Sequence, residues 1–406
     1  MADNGYRAVV TGIGVIASNG LSREEFFKAI TEGKSGIGNS EMLQSMGTRS
    51  CMAGEVKMKF PEPLRVSDAE RTVSLAYKVL DEAFEDSGLT REDISELGKK
   101  AGISFSTSLG GNYWLMKHVR NKFAQNESSP EWLIDLPSCT TLVSKYAGVK
   151  GPVYTTISAC ASGTGGASIA LDLIRSGKAE VVIILGADPL TDFSAAGFHS
   201  LKCMSATGCR PYESDRDGMT MGEGATAIIV ESLNRALERN AHIYGEILGY
   251  GIGNDAYHMT SPNPDGVGAY KSMRMALKDA GISENDIDYI NTHGTATELN
   301  DDMEIRAISK LFEEVKDSYK VAISSTKSMT GHCLGAAGSV ELAVILLAVD
   351  RGEIPPTSTL INPDEAFENY NLIKGKSIKK EVKKALSNSF GFGGHNASIV
   401  VGRYEG

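Results

Sequence analysis

The chain repeats itself, and no other feature of it narrows the fold as much. Residues 76–94 (AYKVLDEAFEDSGLTREDI) and 269–287 (AYKSMRMALKDAGISENDI) are identical at 8 of 19 positions, at a constant offset of 193. Each copy reads as an amphipathic helix stopped by a glycine, Gly88 or Gly281, and followed by a capped turn. A second pair, Gly163–Gly177 and Gly338–Gly352, matches in length and pattern at an offset of 175. Both of its members are helices that follow a β-rich stretch, VYTTISA and VAISST. The drop in offset from 193 to 175 places an 18-residue insertion in the first half. Two paired segments in the same order imply a duplicated α/β chain, two halves about a pseudo-two-fold axis with a site between them. The halves are expected at residues 1–240 and 241–406, with the boundary between Ile229 and Gly245 near a charged helix over Leu233–Asn240.

Composition excludes several alternatives. With 406 residues, 41% hydrophobic and 23% charged, the chain has the make-up of a globular protein of two or three domain-sized units. A formal net charge of −10 argues against a nucleic-acid partner. The longest strongly apolar run, Leu342–Val349, is far too short for a membrane span. Six cysteines without CxxC spacing suggest neither a disulfide framework nor a zinc site, and no metal is expected. The start, MADNGYRAVV, has no apolar targeting run, so a cytoplasmic location is expected.

Strands are expected at Ala8–Val10, Val181–Leu185, Ala227–Val230, Tyr289–Asn291 and Ala397–Val401. Helices are expected at Arg23–Glu32, Val73–Asp86, Gly165–Arg175, Met303–Phe312 and Ser339–Asp350, the first behind a Ser22/Glu25 capping box. Thr11–Ala17 (TGIGVIA) fits a dinucleotide fingerprint, but that motif needs a helix opening at its glycines. Here Ser18-Asn19-Gly20 is turn chemistry and the helix starts at Ser22, so a structural strand and turn is the better reading.

Cys160 stands apart from the other cysteines. It lies in TTISACASGTGG, between a strand and a glycine-rich helix start. A thiol there faces free backbone N–H groups and the positive end of a helix dipole, which are expected to lower its pKa. Two of the seven histidines, His293 in NTHGTATELND and His332 in STKSMTGHCLGAAGSVE, sit in Gly/Thr turns at strand ends. Lys327 precedes His332 by five residues, and the closing motif NSFGFGGHNAS offers backbone N–H groups for an oxyanion hole. A Cys–His hydrolase needs one base and a water. Two histidines beside an acylated cysteine suit different chemistry. Both Nε2 atoms can donate to the enolate left when a malonyl thioester loses carbon dioxide.

The motifs TISACASG, DRDGMTMGEGA, DAYHMTSP, NTHGTAT, STKSMTGHCLGAAGSVE and NSFGFGGHNAS, in that order over Thr156–Ser398, resemble those of β-ketoacyl-acyl-carrier-protein synthases of the elongating type, synthase II above all. Ala8–Gly14 and Gly33–Gly38 extend the resemblance to the N-terminus. It implies the thiolase fold: two βαβαβαββ halves in a five-layer α-β-α-β-α core, in a chain that usually forms a homodimer. It also implies an acyltransferase that condenses an acyl group on Cys160 with a malonyl group by decarboxylation, in fatty-acid or specialised acyl-chain elongation. His293 and His332 would be the decarboxylation and condensation pair, with Lys327, together with Glu341, organising the His332 network. The backbone N–H groups of Cys160 and Phe392 would form the oxyanion hole, and Phe392 would gate the acyl tunnel. Thr295 and Thr297 would bind the phosphopantetheine arm, and Leu109 and Phe198 would line the tunnel. Asp255 would lie in a second mobile loop, and Lys202 in a basic patch for the acyl carrier protein. No cofactor of the enzyme's own is implied; the substrates ride on the carrier's phosphopantetheine.

Departures from the family pattern are His395, where threonine is usual, the segment GADPLTDFSAAGF in place of a Gly-Gly-Ala-Glu start, and the stretch Asn112–Pro137. They point toward a specialised synthase, for example one making polyenes. One rival reading is the non-catalytic chain-length partner of a synthase heterodimer, which would lack the nucleophile. Another is a coenzyme A-dependent thiolase, which would need a second, basic cysteine. A pure scaffold would leave three reactive residues in three turns unexplained.

Overall fold

The computed structural model describes residues 6–58, 71–111, 136–313 and 321–406, with the isolated residues 116 and 119. The first half contributes strands β1 (Ala8–Ala17), β2 (Ala101–Ser106), β3 (Val153–Thr156), β4 (Val181–Asp188) and β5 (Gly224–Ser232). The second contributes β6 (Gly245–Asn254), β7 (Tyr289–Asn291), β8 (Ala322–Ser324), β9 (Lys384–Gly391) and β10 (His395–Gly402). Their order across the sheet is β8-β7-β9-β10-β6-β1-β5-β4-β2-β3. Counted within each half, this is the same sequence read outward from the centre, with the same parallel and antiparallel pairings. The two five-stranded parts meet only through a short pairing of β1 with β6, Val9 opposite Glu246 and Val10 opposite Gly245.

The main helices are α1 (Arg23–Thr31), α2 (Arg71–Ser87), α3 (Ser162–Arg175), α4 (Asp192–Ser200), α5 (Val267–Ala280), α6 (Glu298–Leu311) and α7 (Ala337–Arg351). Helix α2 covers one face of the first half's strands and α5 covers the second half's, while α3 and α7 pack together between the two sheets. The result is five layers, α-β-α-β-α, as the thiolase fold requires. Strand alternation explains the layering. Ile183 joins the cluster under α2, whereas its neighbour Ile184 joins the cluster with α3 and α7. The apolar run Leu342–Val349 is the core of α7 and is buried all round. Among the described residues no helix is long and apolar enough to cross a membrane.

The repeat has a packing origin. A Cβ on Gly14 of β1 would lie 2.1 Å from the Val79 carbonyl oxygen, and one on Gly251 of β6 would lie 2.0 Å from the Ser272 carbonyl oxygen. Val79 and Ser272 are related by the 193-residue offset. Both copies of the helix are thus seated directly on strand glycines, which explains TGIGVIA: it is the buried body of β1, and no helix opens at its glycines. Gly88 and Gly281 end these helices in the left-handed conformation, at φ +69° and +67°. The turns that follow carry capping boxes, Thr90/Asp93 and Ser283/Asp286. At the centre α3 and α7 cross backbone to backbone, since a Cβ on Gly163 would sit 2.3 Å from the Ser339 nitrogen. Ser22 caps α1 as expected, accepting from the Glu25 N–H. The unusual stretch Asn112–Pro137 lies almost wholly outside the described residues.

Candidate active site

Cys160 ends a tight turn between β3 and α3. Ala159 adopts φ +50°, a strained value for a residue with a Cβ, and Ser162 Oγ braces the turn by donating to the Ala159 carbonyl at 2.6 Å. The turn aims the thiol across the centre of the molecule at the second half. There, one ligand atom each from Cys160, His293 and His332 lies within 4.8 Å of the others. The two imidazoles meet edge to face, with ring centroids 5.2 Å apart.

Each histidine is held by its backbone and by its Nδ1. The His293 and Gly294 N–H groups donate to the Glu304 carboxylate at 2.9 and 2.8 Å, and Asn388 Nδ2 donates to the same group. Nδ1 of His293 faces the Lys327 ammonium at 3.4 Å, so the lysine expected to serve His332 reaches His293 directly. Nδ1 of His332 accepts the Leu334 N–H at 3.1 Å. Facing a donor in both cases, Nδ1 acts as acceptor, so the ring proton is assigned to Nε2. Burial, reinforced by the Lys327 charge, holds both imidazoles well below their ordinary pKa, so both are neutral. This pattern is the reverse of a metal-binding histidine, whose Nδ1–H donates outward and leaves Nε2 bare.

Lys327 and Glu341 form a buried ion pair behind the histidines, and Glu341 Oε2 has no hydrogen-bond partner. Burial raises the Glu341 carboxyl to about 7 against the pull of Lys327. The Cys160 thiol departs from expectation. Burial pushes it up to about 12, outweighing the opposing Lys327 charge. The residue keeps some surface open to the cavity, but an occupant of that cavity removes the same water, so the upward direction stands for the loaded site. The helix start therefore does not make Cys160 a resting thiolate.

Two cavities meet at this cluster. One, of about 530 Å³, is lined by Cys160, both histidines, Thr295, Thr297, Asp255 and Lys202 among others. The other, of about 510 Å³, is bounded by Leu109, Ala196, Gly197 and Leu334. Cys160, Phe198 and Phe392 belong to both walls. Phe198 and Phe392 lie against each other, centroids 5.8 Å apart, so Phe392 stands between the two spaces. Gly391 brings its loop close enough that a Cβ would touch the Cys160 nitrogen at 3.0 Å. The Phe392–Gly394 turn is tied to the loop after β6: Gly393 N–H donates to Met259 O, Asp255 N–H to Gly394 O, and Asn396 Nδ2 to Asp255 Oδ1.

The family models for the N- and C-terminal domains of β-ketoacyl synthases match residues 6–236 and 244–360. The chain belongs to the β-ketoacyl synthase family. It is 35% identical to the 3-oxoacyl-[acyl-carrier-protein] synthase 2 of Synechocystis over 98% of both chains. The enzyme of that name from Coxiella burnetii is also 35% identical over 98% of both chains. A type II polyketide ketosynthase solved with its acyl-carrier protein superposes with a TM-score of 0.89 at 30% identity, over 98% of this chain and 99% of that one.

The candidate site residues named from the sequence line one of the two cavities or, for Lys327 and Glu341, lie behind the histidines; His395 does neither. That residue lines neither cavity; it pairs with Asn254 across β10 and β6, and its ring lies over Gly393. Sequence reasoning missed Glu304, Asn388 and Asp188. Their signal is a buried carboxylate or amide facing backbone N–H groups, which a linear pattern does not carry.

Proposed function

We propose that this β-ketoacyl synthase performs decarboxylative Claisen condensation: an acyl group on Cys160 is extended by malonyl-acyl-carrier protein, giving β-ketoacyl-carrier protein and carbon dioxide. The observation that carries the reading is the pair of neutral Nε2–H histidines facing one thiol where a cavity of mixed lining and an apolar cavity meet.

The thiol sulfur attacks the acyl thioester carbonyl, and its proton leaves on the departing pantetheine thiol. The carbonyl oxygen collects negative charge beside the backbone N–H groups of Cys160 and Phe392. The malonyl carboxylate then departs as carbon dioxide, and the electron pair of the broken bond forms an enolate. Its oxygen takes hydrogen bonds from His293 and His332, its carbon attacks the Cys160 thioester carbonyl as the C–S bond breaks, and the released thiolate takes up one proton from solvent. Neutral histidines suit this step, since they donate without being acids strong enough to quench the carbanion.

Thr295 and Thr297, with hydroxyls 2.9 Å apart on the cavity wall, hold the phosphopantetheine arm. The acyl chain occupies the apolar cavity beside Leu109 and Phe198, and Phe392 gates it. Lys202, exposed at the mouth, meets the acidic carrier. The halves at 1–240 and 241–406 divide the work, the first holding the nucleophile and the second the donors. The outermost strand of the first half, β3, leaves Val153 and Tyr154 exposed at 44% and 43%, with Ile157 just beyond it at 53%, an edge suited to a second copy or a chain-length partner. No cofactor beyond the carrier's arm is needed for these steps. None of the six cysteines is in a disulfide, which suits a reducing cytoplasm.

Mass spectrometry after incubation with a panel of acyl-carrier proteins tests the reading. A mass increment on Cys160 is expected, and the preferred increment names the acceptor chain. Absence of any adduct at Cys160 across the panel overturns it. Condensation of coenzyme A esters without loss of carbon dioxide would establish a thiolase instead.

A further inference from the structure

Asp188, in the segment that departs from the family pattern, is the last residue of β4 and has no exposed surface. Four donors converge on its carboxylate. Thr107 Oγ1 donates at 2.5 Å, Ser108 N–H at 2.9 Å, Leu109 N–H at 2.9 Å and Gly335 N–H at 2.6 Å. These donors come from two places. Thr107–Leu109 is the chain leaving β2, where Leu109 forms part of the apolar cavity wall. Gly335 belongs to the turn after His332, whose Leu334 lines the same cavity.

That turn needs holding. Leu334 adopts φ +52°, a conformation that disfavours a residue with a branched side chain. Its N–H is the donor that fixes His332 Nδ1, and the next N–H, of Gly335, is the one Asp188 accepts. Gly335 has no space for a side chain, since a Cβ would lie 2.6 Å from Ser108 Oγ and 2.7 Å from Asp188 Oδ2. The carboxylate therefore clamps one wall of the apolar cavity to the turn that sets a histidine tautomer.

We propose that Asp188 is a positioning residue for condensation, holding Leu109 in the cavity wall and the Leu334–Gly335 turn that keeps His332 an Nε2–H donor. The proposal rests on the donor-pair reading above. Asp188 touches no substrate atom and acts through His332.

The test is Asp188→Asn, which keeps the volume but turns an amide N–H₂ toward donors, so at least one of the four loses its acceptor. Two readings are taken on the intact enzyme: steady-state malonyl-carrier decarboxylation, and the ring ¹⁵N shifts of His332 at neutral pH. A fall in kcat of about 10–100-fold is expected, by analogy with the loss of an orienting partner behind a metal-bound histidine. KM should stay nearly constant, and the His332 shifts should move from an Nε2–H pattern toward a mixture of tautomers. A folded variant with wild-type shifts and kcat overturns the proposal. So does a kcat that falls while the shifts stay unchanged. If Asp188→Asn does not fold, Thr107→Val removes one donor from the clamp. A shift change with a several-fold lower kcat then supports the role, and wild-type values for both refute it. Wild-type enzyme in which His332 carries its proton on Nδ1, or is charged, would instead sink the donor-pair reading itself.

Discussion

Cys160 and Gly335 occupy corresponding places in the two halves, related by the 175-residue offset of the helices that follow them. Both precede a central helix, α3 or α7, at the same point in the same strand order. In the first half the position carries a thiol that opens onto two cavities. In the second, Ser108 and Asp188 fill the space a side chain would need. Duplication supplied the scaffold twice, and close packing closed one copy of the site. The histidines then enter from the second half, so that neither half holds the whole cluster.

The sharpest way to break this asymmetry is Cys160→Ala. Acyl transfer should vanish, a loss on the order of 10⁶-fold for a missing nucleophile, while malonyl decarboxylation persists because its donors lie in the other half. Acylation of the Ala variant at the wild-type rate, followed by mass spectrometry, would remove Cys160 from the mechanism.

Replacing His293 or His332 by alanine tests the other half. Decarboxylation should fall by roughly 10²–10³ for each, the cost of one lost donor to an oxyanion, with Cys160 acylation partly retained. Release of carbon dioxide from labelled malonyl-carrier protein measures the first and intact-protein mass the second. Undiminished decarboxylation in both variants would end the donor-pair reading.

Where the halves are alike, matched changes should have matched effects. Gly14→Ala and Gly251→Ala each push a methyl into the carbonyl of the helix seated on that strand. Both should destabilise by about 1–3 kcal/mol through overpacking, read from denaturant midpoints. A large loss for one and none for the other would show that the two dockings are not equivalent.

Proton linkage separates the halves more gently. The two histidines are depressed in the folded protein. Below their ordinary value of 6.5 the unfolded chain binds protons that the folded chain refuses, so their contribution to stability is lost as pH falls. Glu341, raised to about 7, opposes this, since its stabilisation is present at low pH and lost as pH rises through about 7. The rate is the cleaner readout. With the donors already neutral, the histidines themselves should add no acid limb near pH 6.5, and any limb there should come from the buried carboxyls that hold them, Asp188 raised to about 6 and Glu304 and Glu341 raised to about 7. A limb there accompanied by a change in the His293 or His332 ring ¹⁵N shifts would mean that a histidine must lose a proton to act.

The smallest effect is expected at His395, which sits outside both cavities over Gly393. His395→Thr should change stability by no more than about 0.5 kcal/mol and leave the chain-length profile of acylation unchanged. A shifted profile would show that the ring pins the Phe392 loop.

Much of this was legible in the sequence because it depends on local chemistry. A glycine-stopped helix repeated at a fixed offset, a cysteine before a glycine-rich helix start and histidines in strand-end turns are all short-range patterns, and each marks its own place. What only the tertiary structure decided depends on partners far away in the chain. Burial reversed the expected direction for the Cys160 thiol, because desolvation outweighed the Lys327 charge. The His293 tautomer was set by Lys327 across 34 residues, a pairing that neither residue's motif displays, whereas the strained Leu334 amide that sets His332 lies only two residues on. Asp188 meets Gly335 across 147 residues. A sequence displays which groups are present and how the backbone turns beside them. Which of those groups are sealed from water, and which donor each acceptor faces, is settled when the two halves close on each other.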